Sequence, residues 1–287
     1  MIRPAQTQLY AVIGTPISHS LSPVMMNEAF NVLNMNVVYV ALEVTDLEQD
    51  LETLWRVGFG GLSVTIPHKE RALKIASDLD NSAKAIGAVN TLKRSKNGWQ
   101  GRNTDWIGIV RSFQERGIQM HGKRVLVIGA GGASRAVIYA AKQMGAGEIV
   151  IANRTYEKGV EVAEEFECEA IPLDDVTAGG EFEVIFQTTP VGMSGYGDDK
   201  LPVSSAVLRP GSVVMDLVYN PVWTAFLRKA RKLGCVVISG LDMLIYQGAA
   251  QFEWWFGMPA PVAAMRRVLQ KVTKAEQNDD KGDFTIR

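Results

Sequence analysis

The feature that most narrows what this chain can fold into is a run of small residues, Gly129-Ala130-Gly131-Gly132-Ala133-Ser134. It lies between an apolar run, Arg124 to Ile128, and a helical pattern that reaches Met144 and is capped by Gly145. Strand, glycine turn and helix in that order have a chemical reason. A turn without side chains lets the backbone approach a pyrophosphate, whose charge then rests at a helix N-terminus where free N–H groups and the dipole favour it. Ser134 fills the sixth fingerprint position in place of Gly or Ala, so the motif is carried by its context more than by its spelling. That context continues with a strand from Glu148 to Ala152 and a charged-faced helix from Tyr156 to Phe166. Further buried strands are expected at Val184 to Gln187, Val213 to Leu217 and Val236 to Ile238. The alternation predicts an α/β, doubly wound, Rossmann-type nucleotide-binding domain.

The end of the second strand of that unit selects the nucleotide. A site for NAD places Asp or Glu about 20 residues after the turn, to hold the ribose 2′-hydroxyl. Here the chain offers Asn153-Arg154-Thr155, with Lys158 one turn later. A carboxylate repels a 2′-phosphate, whereas a guanidinium takes it with paired charge-assisted hydrogen bonds and stacks on adenine. The expected cofactor is NADP(H).

The first third of the chain has a rhythm of its own. Tyr10 to Ile13, Val37 to Ala41 and Leu62 to Ile66 read as strands, with helices at Val24 to Leu33 and Leu47 to Val57 between them. Strands separated by helices usually lie parallel. Val89 to Lys93 and Trp99 to Arg102 flank Ser95-Lys96-Asn97-Gly98, a hairpin signal that predicts an antiparallel pair closing a mixed sheet. A helix from about Trp106 to Arg116, ended by Gly117, leads to a first boundary, and the second domain is expected over residues 107–240 after a first over 1–106. From Gly240 the pattern returns to helix, through Tyr246 to Phe256 and Val262 to Val272, and periodicity alone lets residues 241–274 cap either domain. The polar tail, 275–287, is expected to be poorly ordered from Lys274 onward.

Composition removes several classes of function. At 287 residues the chain is long enough for two cores without disulfide or metal support. Thirty Lys and Arg against 31 Asp and Glu give a net charge of −1, which is no footprint of a nucleic-acid binder. No apolar stretch approaches the ~18 residues of a membrane span, and the opening MIRPAQTQLY lacks the apolar core of a secretory signal, so a cytoplasmic protein without membrane partners is expected. Two cysteines, Cys168 and Cys235, and three scattered histidines, His19, His68 and His121, give no metal spacing.

Four short motifs in the first third combine hydroxyl and amide groups with one lysine and one aspartate. They are Ser18-His19-Ser20-Leu21-Ser22-Pro23, Ser63-Val64-Thr65-Ile66-Pro67-His68-Lys69, Gly87-Ala88-Val89-Asn90-Thr91 and Asn103-Thr104-Asp105. Taken singly, each has a plain explanation: Ser22-Pro23 as a helix start, Asn90 as a turn residue, Lys69 and Asp105 as surface charges. Three of them follow or end an extended run, and parallel sheets present ligands at the carboxyl ends of their strands, so together they can converge on one crevice. His19 and His68 are assigned to packing or loop hydrogen bonding, and Trp254 with Trp255 to core or interdomain packing.

The set SxSLSP, VTxPHK, GAVNT and NTD, followed by GAGGA, NRT and a late GLDMLxYQGAxxF, resembles the shikimate dehydrogenase family over about Tyr10 to Leu269. The resemblance implies reversible NADP-linked reduction of 3-dehydroshikimate to shikimate by two α/β domains, with the C-terminal helices returning to the substrate domain. It implies that Ser20 and Ser22 hold the substrate carboxylate with Tyr219 nearby, and that Thr65, Lys69, Asn90, Asp105 and Gln247 contact the ring hydroxyls. Gly129, Ala130, Gly131, Gly132, Ala133, Asn153, Arg154, Thr155 and Lys158 would carry the nucleotide, with Leu217 and Gly240 beside it. Three positions depart from the pattern: Ser63 where the family more often has Asn, Trp106 where many members have Gly, and Asp242 where others have Gly. A small-molecule substrate and a monomer or homodimer are expected. A quinate/shikimate dehydrogenase is the alternative within the same chemistry, and a noncatalytic ligand sensor the alternative outside it.

The lysine and the aspartate also suit the reaction on chemical grounds. Reducing a ring ketone by hydride makes an alkoxide, which needs a proton and a nearby positive charge as it forms. Lys69 supplies both, and Asp105 is expected to orient it. Hinges are expected near Trp106 and Gly240.

Overall fold

The computed structural model describes residues 6–176, 181–197 and 199–282. In chain order it begins β1 (Gln8–Gly14), α1 (Ser22–Val32), β2 (Val37–Glu43), α2 (Leu47–Val57), β3 (Gly61–Val64), α3 (Lys69–Ile75), β4 (Asp78–Leu79), α4 (Asn81–Ile86), β5 (Thr91–Ser95) and β6 (Gly98–Arg102). It continues with α5 (Asp105–Gln114), β7 (Arg124–Ile128), α6 (Gly132–Gln143), β8 (Glu148–Asn153), α7 (Tyr156–Phe166) and β9 (Glu169–Pro172). The last elements are β10 (Val184–Gln187), β11 (Val213–Asp216), α8 (Ala225–Lys232), β12 (Val236–Ser239), α9 (Gly240–Phe256) and α10 (Val262–Gly282). Two compact units result, residues 1–104 with 248–287 and residues 105–247. The second is thus an insertion in the first along the chain.

The first unit holds a six-stranded sheet in the order β2-β1-β3-β5-β6-β4. β1 is parallel to β2 and β3, whereas β5 runs antiparallel to both β3 and β6. The hairpin pairs Ser95 with Gly98, which takes φ 124°, a value open to glycine and costly for other residues. Because β5 is reversed, its first residue lies level with the next-to-last residue of β3 and the last of β6: Thr91 pairs with Ser63 and with Arg102. One edge of this sheet therefore collects the ends of β1, β3 and β6 and the start of β5. One face packs Ala11, Ile13, Leu47, Leu51, Leu62 and Trp99 into a buried cluster. A second packing centre is aromatic: Phe30 of α1 lies 5.9 Å and 5.5 Å, ring centre to ring centre, from Phe252 and Phe256 of α9, and Tyr10 lies 5.0 Å from Trp255.

The second unit holds six strands in the order β12-β11-β10-β7-β8-β9, every pair parallel. Val125, Val127, Ile149, Ile151, Val184 and Phe186 line the face under α5, α6 and α7, and Leu126, Ile128, Ile185 and Val214 the opposite one. Strand order reverses between β7 and β10, the switch point at which such sheets open a crevice at their carboxyl ends. Local caps fix the helices: Asp46 accepts from Gln49 N before α2, Asp80 from Ala83 N before α4, and Thr224 from Leu227 N before α8.

The polar stretch after Lys274 is helical as far as Gly282, because 275–281 carry no Gly or Pro and several good helix formers that continue α10. Residues 283–287 lie outside the described residues. Among the described residues no helix is long and apolar enough to cross a membrane, and no cluster of three or more His, Cys, Asp or Glu could hold a metal ion.

Candidate active site

The shared edge of the first sheet brings the sequence motifs together. Thr65 follows β3, and its backbone N–H donates to Ile13 O at the end of β1. Its methyl would lie 2.5 Å from a Cβ at Gly14, so only glycine lets the two segments come so close. Lys69 opens α3, half-buried, and its carbonyl accepts from Val89 N at 2.9 Å. Asn90, the next residue along, accepts at its own carbonyl from Val64 N at 2.8 Å. Ser20 Oγ accepts from Ser22 N at 3.3 Å just before α1, whose N-cap is Leu21 and not Ser22.

Asn90 is only 2% exposed, and its carboxamide is clamped. Its Oδ1 accepts from Thr104 N at 2.7 Å and from Thr91 Oγ1 at 2.7 Å, while Nδ2 donates to Thr104 Oγ1 at 3.0 Å. The oxygen is committed to the protein. Asn103 Nδ2 donates to Ala88 O at 3.0 Å, tying the end of β6 to the same loop. Thr104 is fully buried, and Asp105, 4% exposed, follows it as the first residue of α5.

A separate candidate region, in the second unit, lies at the carboxyl ends of β7 and β10. Gly129 has φ 111°, and a Cβ there would meet Thr188 Oγ1 at 2.6 Å. It is glycine for both reasons. A Cβ on Gly131 or Gly132 would meet nothing within 4 Å, so the turn leaves open space above the N-terminus of α6. Ser134 answers the departure at the sixth position: it is fully buried and its hydroxyl donates to Gly131 O at 2.6 Å. Past β8, Asn153 Nδ2 donates to Thr155 O at 2.7 Å, and Arg154 and Lys158 are exposed. Those groups fit a dinucleotide carrying a 2′-phosphate: donors and room under the diphosphate, cations beside the ribose. Leu217 and Gly240 lie against each other, since a Cβ at Gly240 would meet Leu217 O at 2.4 Å and Val218 O at 2.5 Å. Tyr219, on the same segment, is half-buried, and burial pushes its phenol up. Gln247 sits on α9, its Nε2 donating to Leu244 O at 3.0 Å.

Several residues of the second unit's region carry no motif in the sequence. Gln187, fully buried, accepts from Thr189 N at 2.7 Å and shapes the loop after β10, and Thr188 Oγ1 donates to Ile128 O at 2.7 Å beside Gly129. The signal for them is Gln187-Thr188-Thr189-Pro190 directly after a buried strand. Asp216, fully buried at the end of β11, accepts from Val218 N at 3.0 Å and Thr224 Oγ1 at 2.7 Å. Burial pushes its carboxyl up to about 7. Of the departures, Asp242 pairs with Arg116 at 2.8 Å and accepts from Ser239 Oγ at 3.2 Å, a packing role at the start of α9. Trp106 meets Tyr139 edge to face at 5.4 Å. His68 is buried with Nε2 2.8 Å from Val44 O, which is loop hydrogen bonding.

A doubly wound sheet with a glycine turn at its switch point, inserted in a second α/β unit with its own buried polar edge, defines a class of two-domain, dinucleotide-dependent oxidoreductases. Residues 12–92 match the shikimate dehydrogenase substrate binding domain, 111–192 the shikimate/quinate 5-dehydrogenase family, and 240–270 the shikimate 5′-dehydrogenase C-terminal domain. The shikimate dehydrogenase (NADP(+)) of Syntrophobacter fumaroxidans is 48% identical over 285 residues, covering 97% of this chain and 99% of that one. A crystal structure of a shikimate dehydrogenase in complex with NADP+ superposes with a TM-score of 0.89 at 37% identity, over 95% of this chain and 98% of that one. The enzyme of Thermus thermophilus, in complex with NADP(H) and shikimate, gives 0.84 at 35% identity, over 92% and 99%. The chain belongs to the shikimate dehydrogenase family.

Proposed function

We propose that this chain catalyses the reversible NADP-dependent reduction of 3-dehydroshikimate to shikimate in the cytoplasm, with Lys69 as acid/base catalyst and Asp105 orienting it. The carrying observation is the run of contacts along the substrate sheet edge. The Lys69 carbonyl is bonded to Val89 N, the neighbouring Asn90 carboxamide to Thr104 N, and Asp105 is next in the chain. The reduced nicotinamide supplies hydride when it is bound. Lys69 Nζ gives a proton to the developing alkoxide and offsets its charge, and in the oxidative direction it takes the hydroxyl proton instead. Ser20, Ser22 and Tyr219 hold the carboxylate, and Thr65, Asn90 and Gln247 the ring hydroxyls. Gly129 to Ala133 bind the diphosphate. Asn153, Arg154, Thr155 and Lys158 would hold the phosphorylated ribose, and Leu217 and Gly240 would complete the nucleotide-binding set.

The test is the reduced-nicotinamide absorbance on mixing the protein with shikimate or quinate and with NADP or NAD. The expected result is the fastest rise with shikimate and NADP. A preference for quinate or NAD, or no signal with any pair, overturns the reading.

A further inference from the structure

A chain of buried hydrogen bonds crosses the first unit from β2 to α9 and ends on Asn90. Tyr39 Oη donates to Ser63 Oγ at 2.5 Å, Ser63 Oγ donates to Gln251 Oε1 at 2.6 Å, and Gln251 Nε2 donates to the backbone carbonyl of Asn90 at 3.3 Å. The residues are 1%, 6% and 2% exposed, so water does not substitute for any of these partners. The direction of the whole chain follows from its last member. A carbonyl oxygen accepts only, so the nitrogen of Gln251 must face Asn90 and its oxygen must face Ser63. Ser63 must then donate to Gln251, which leaves it to accept from Tyr39. Burial pushes the Tyr39 phenol well above its ordinary value, which keeps the proton that this polarity requires.

We infer that Gln251 is a positioning residue for the substrate, acting through Asn90. The Asn90 carbonyl accepts from Val64 N of β3 and from Gln251 Nε2 of α9. Its side chain is held separately by Thr104 and Thr91 at the end of β6 and the start of β5. Gln251 therefore adds a side-chain hold on this carbonyl, and it ties the loop carrying Asn90 to the helix carrying Gln247 one turn earlier. Ser63 stands where the resemblance has Asn more often; here the carboxamide beside β3 comes from the facing helix instead. The inference rests on the reading of Asn90 as a substrate contact.

The experiment uses Gln251→Met, which keeps the shape and removes both hydrogen bonds, beside Ser63→Ala and Tyr39→Phe. Steady-state kinetics are expected to show the shikimate KM rising about tenfold in Gln251→Met. The rise should be smaller in Ser63→Ala and within about twofold in Tyr39→Phe, which leaves the Ser63 to Gln251 bond intact. The NADP KM should stay within about twofold throughout. Adding Ser63→Asn to Gln251→Ala should recover the shikimate KM that Gln251→Ala alone loses. A wild-type shikimate KM in Gln251→Met, or equal rises in both KM values, overturns the inference, and failure of the double variant to recover overturns the exchange of carboxamides. The Asn90 side-chain amide signal in a nitrogen-15 NMR spectrum supplies a readout without turnover, and it should move in Gln251→Met. If the wild type does not oxidise shikimate, the proposed function falls, while an unmoved Asn90 signal sinks the coupling on its own.

Discussion

At the carboxyl end of β7 the chain offers backbone and space. A Cβ on Gly131 or Gly132 would meet nothing within 4 Å, and the cations at 154 and 158 stand exposed. At the corresponding end of β3 it offers side chains already locked to one another: Asn90, Thr91 and Thr104 are buried and mutually bonded. The difference follows from what each edge has to recognise. A diphosphate is satisfied by N–H groups and an open approach, which any well-shaped turn supplies. A small ring with several hydroxyls is distinguished from its relatives only by donors and acceptors held at fixed angles, and those need partners that do not move.

The largest test of this contrast is Lys69→Met, which should lower kcat by roughly 10²–10⁴ with a modest change in shikimate KM, measured by steady-state kinetics. Comparable turnover would remove the lysine from the chemistry. Asn90→Ala comes next. It strands Thr104 N and the neighbouring hydroxyls, so chemical denaturation should show a loss of about 2–4 kcal/mol along with lost activity. Gly131→Ala and Arg154→Ser should behave in the opposite way, keeping their stability within about 0.5 kcal/mol while the efficiency with NADP falls roughly 10–100-fold. If Gly131→Ala instead unfolds the protein, or Asn90→Ala does not destabilise it, the contrast between an open and a locked edge is broken.

Two smaller effects sharpen it. Asp216 is raised from 3.8 to about 7 by burial, so between about pH 4 and 7 the unfolded chain gives up this proton before the folded one does. Stability should fall as pH rises through that window, by at most about 4 kcal/mol, and Asp216→Asn should flatten that part of a melting-temperature profile. A profile with the same slope in the variant would deny the carboxyl its role. Glu165 shows the reverse sign: the Arg135 guanidinium holds its carboxyl below the usual range, so its contribution is present at neutral pH and lost on acidification. The glutamate is more than half exposed, and Glu165→Gln should cost no more than ~1 kcal/mol at neutral pH by thermal melts.

How legible each region is in the sequence follows the same division. The strand, glycine turn and helix around Gly129 are local, and so is the hairpin over Ser95 to Gly98, whose turn chemistry lies within four residues. β9 escapes a sequence reading because its residues are half-buried or exposed and carry no alternation, and β4 because two residues make no pattern. α8 reads as a cluster of basic residues, and only Phe226, Leu227 and Ala230 on one side give it a buried face. In the substrate edge, Lys69 and Asn90 are visible as parts of short motifs, but their supports are not. Gln251 meets Ser63 across 188 positions, and Tyr39 reads as one more aromatic residue of a strand. Pairings over such distances are decided by the sheet order, which no local period encodes.

The insertion of one unit inside the other also sets a timetable. As the chain leaves the ribosome, residues 105–247 are complete before 248–274 have been made. Until then Tyr10 and Phe30 lack Phe252, Trp255 and Phe256, the rings that close over them. The unit that starts first therefore finishes last, and in the interval its sticky aromatic flank is the surface a chaperone has most reason to shield.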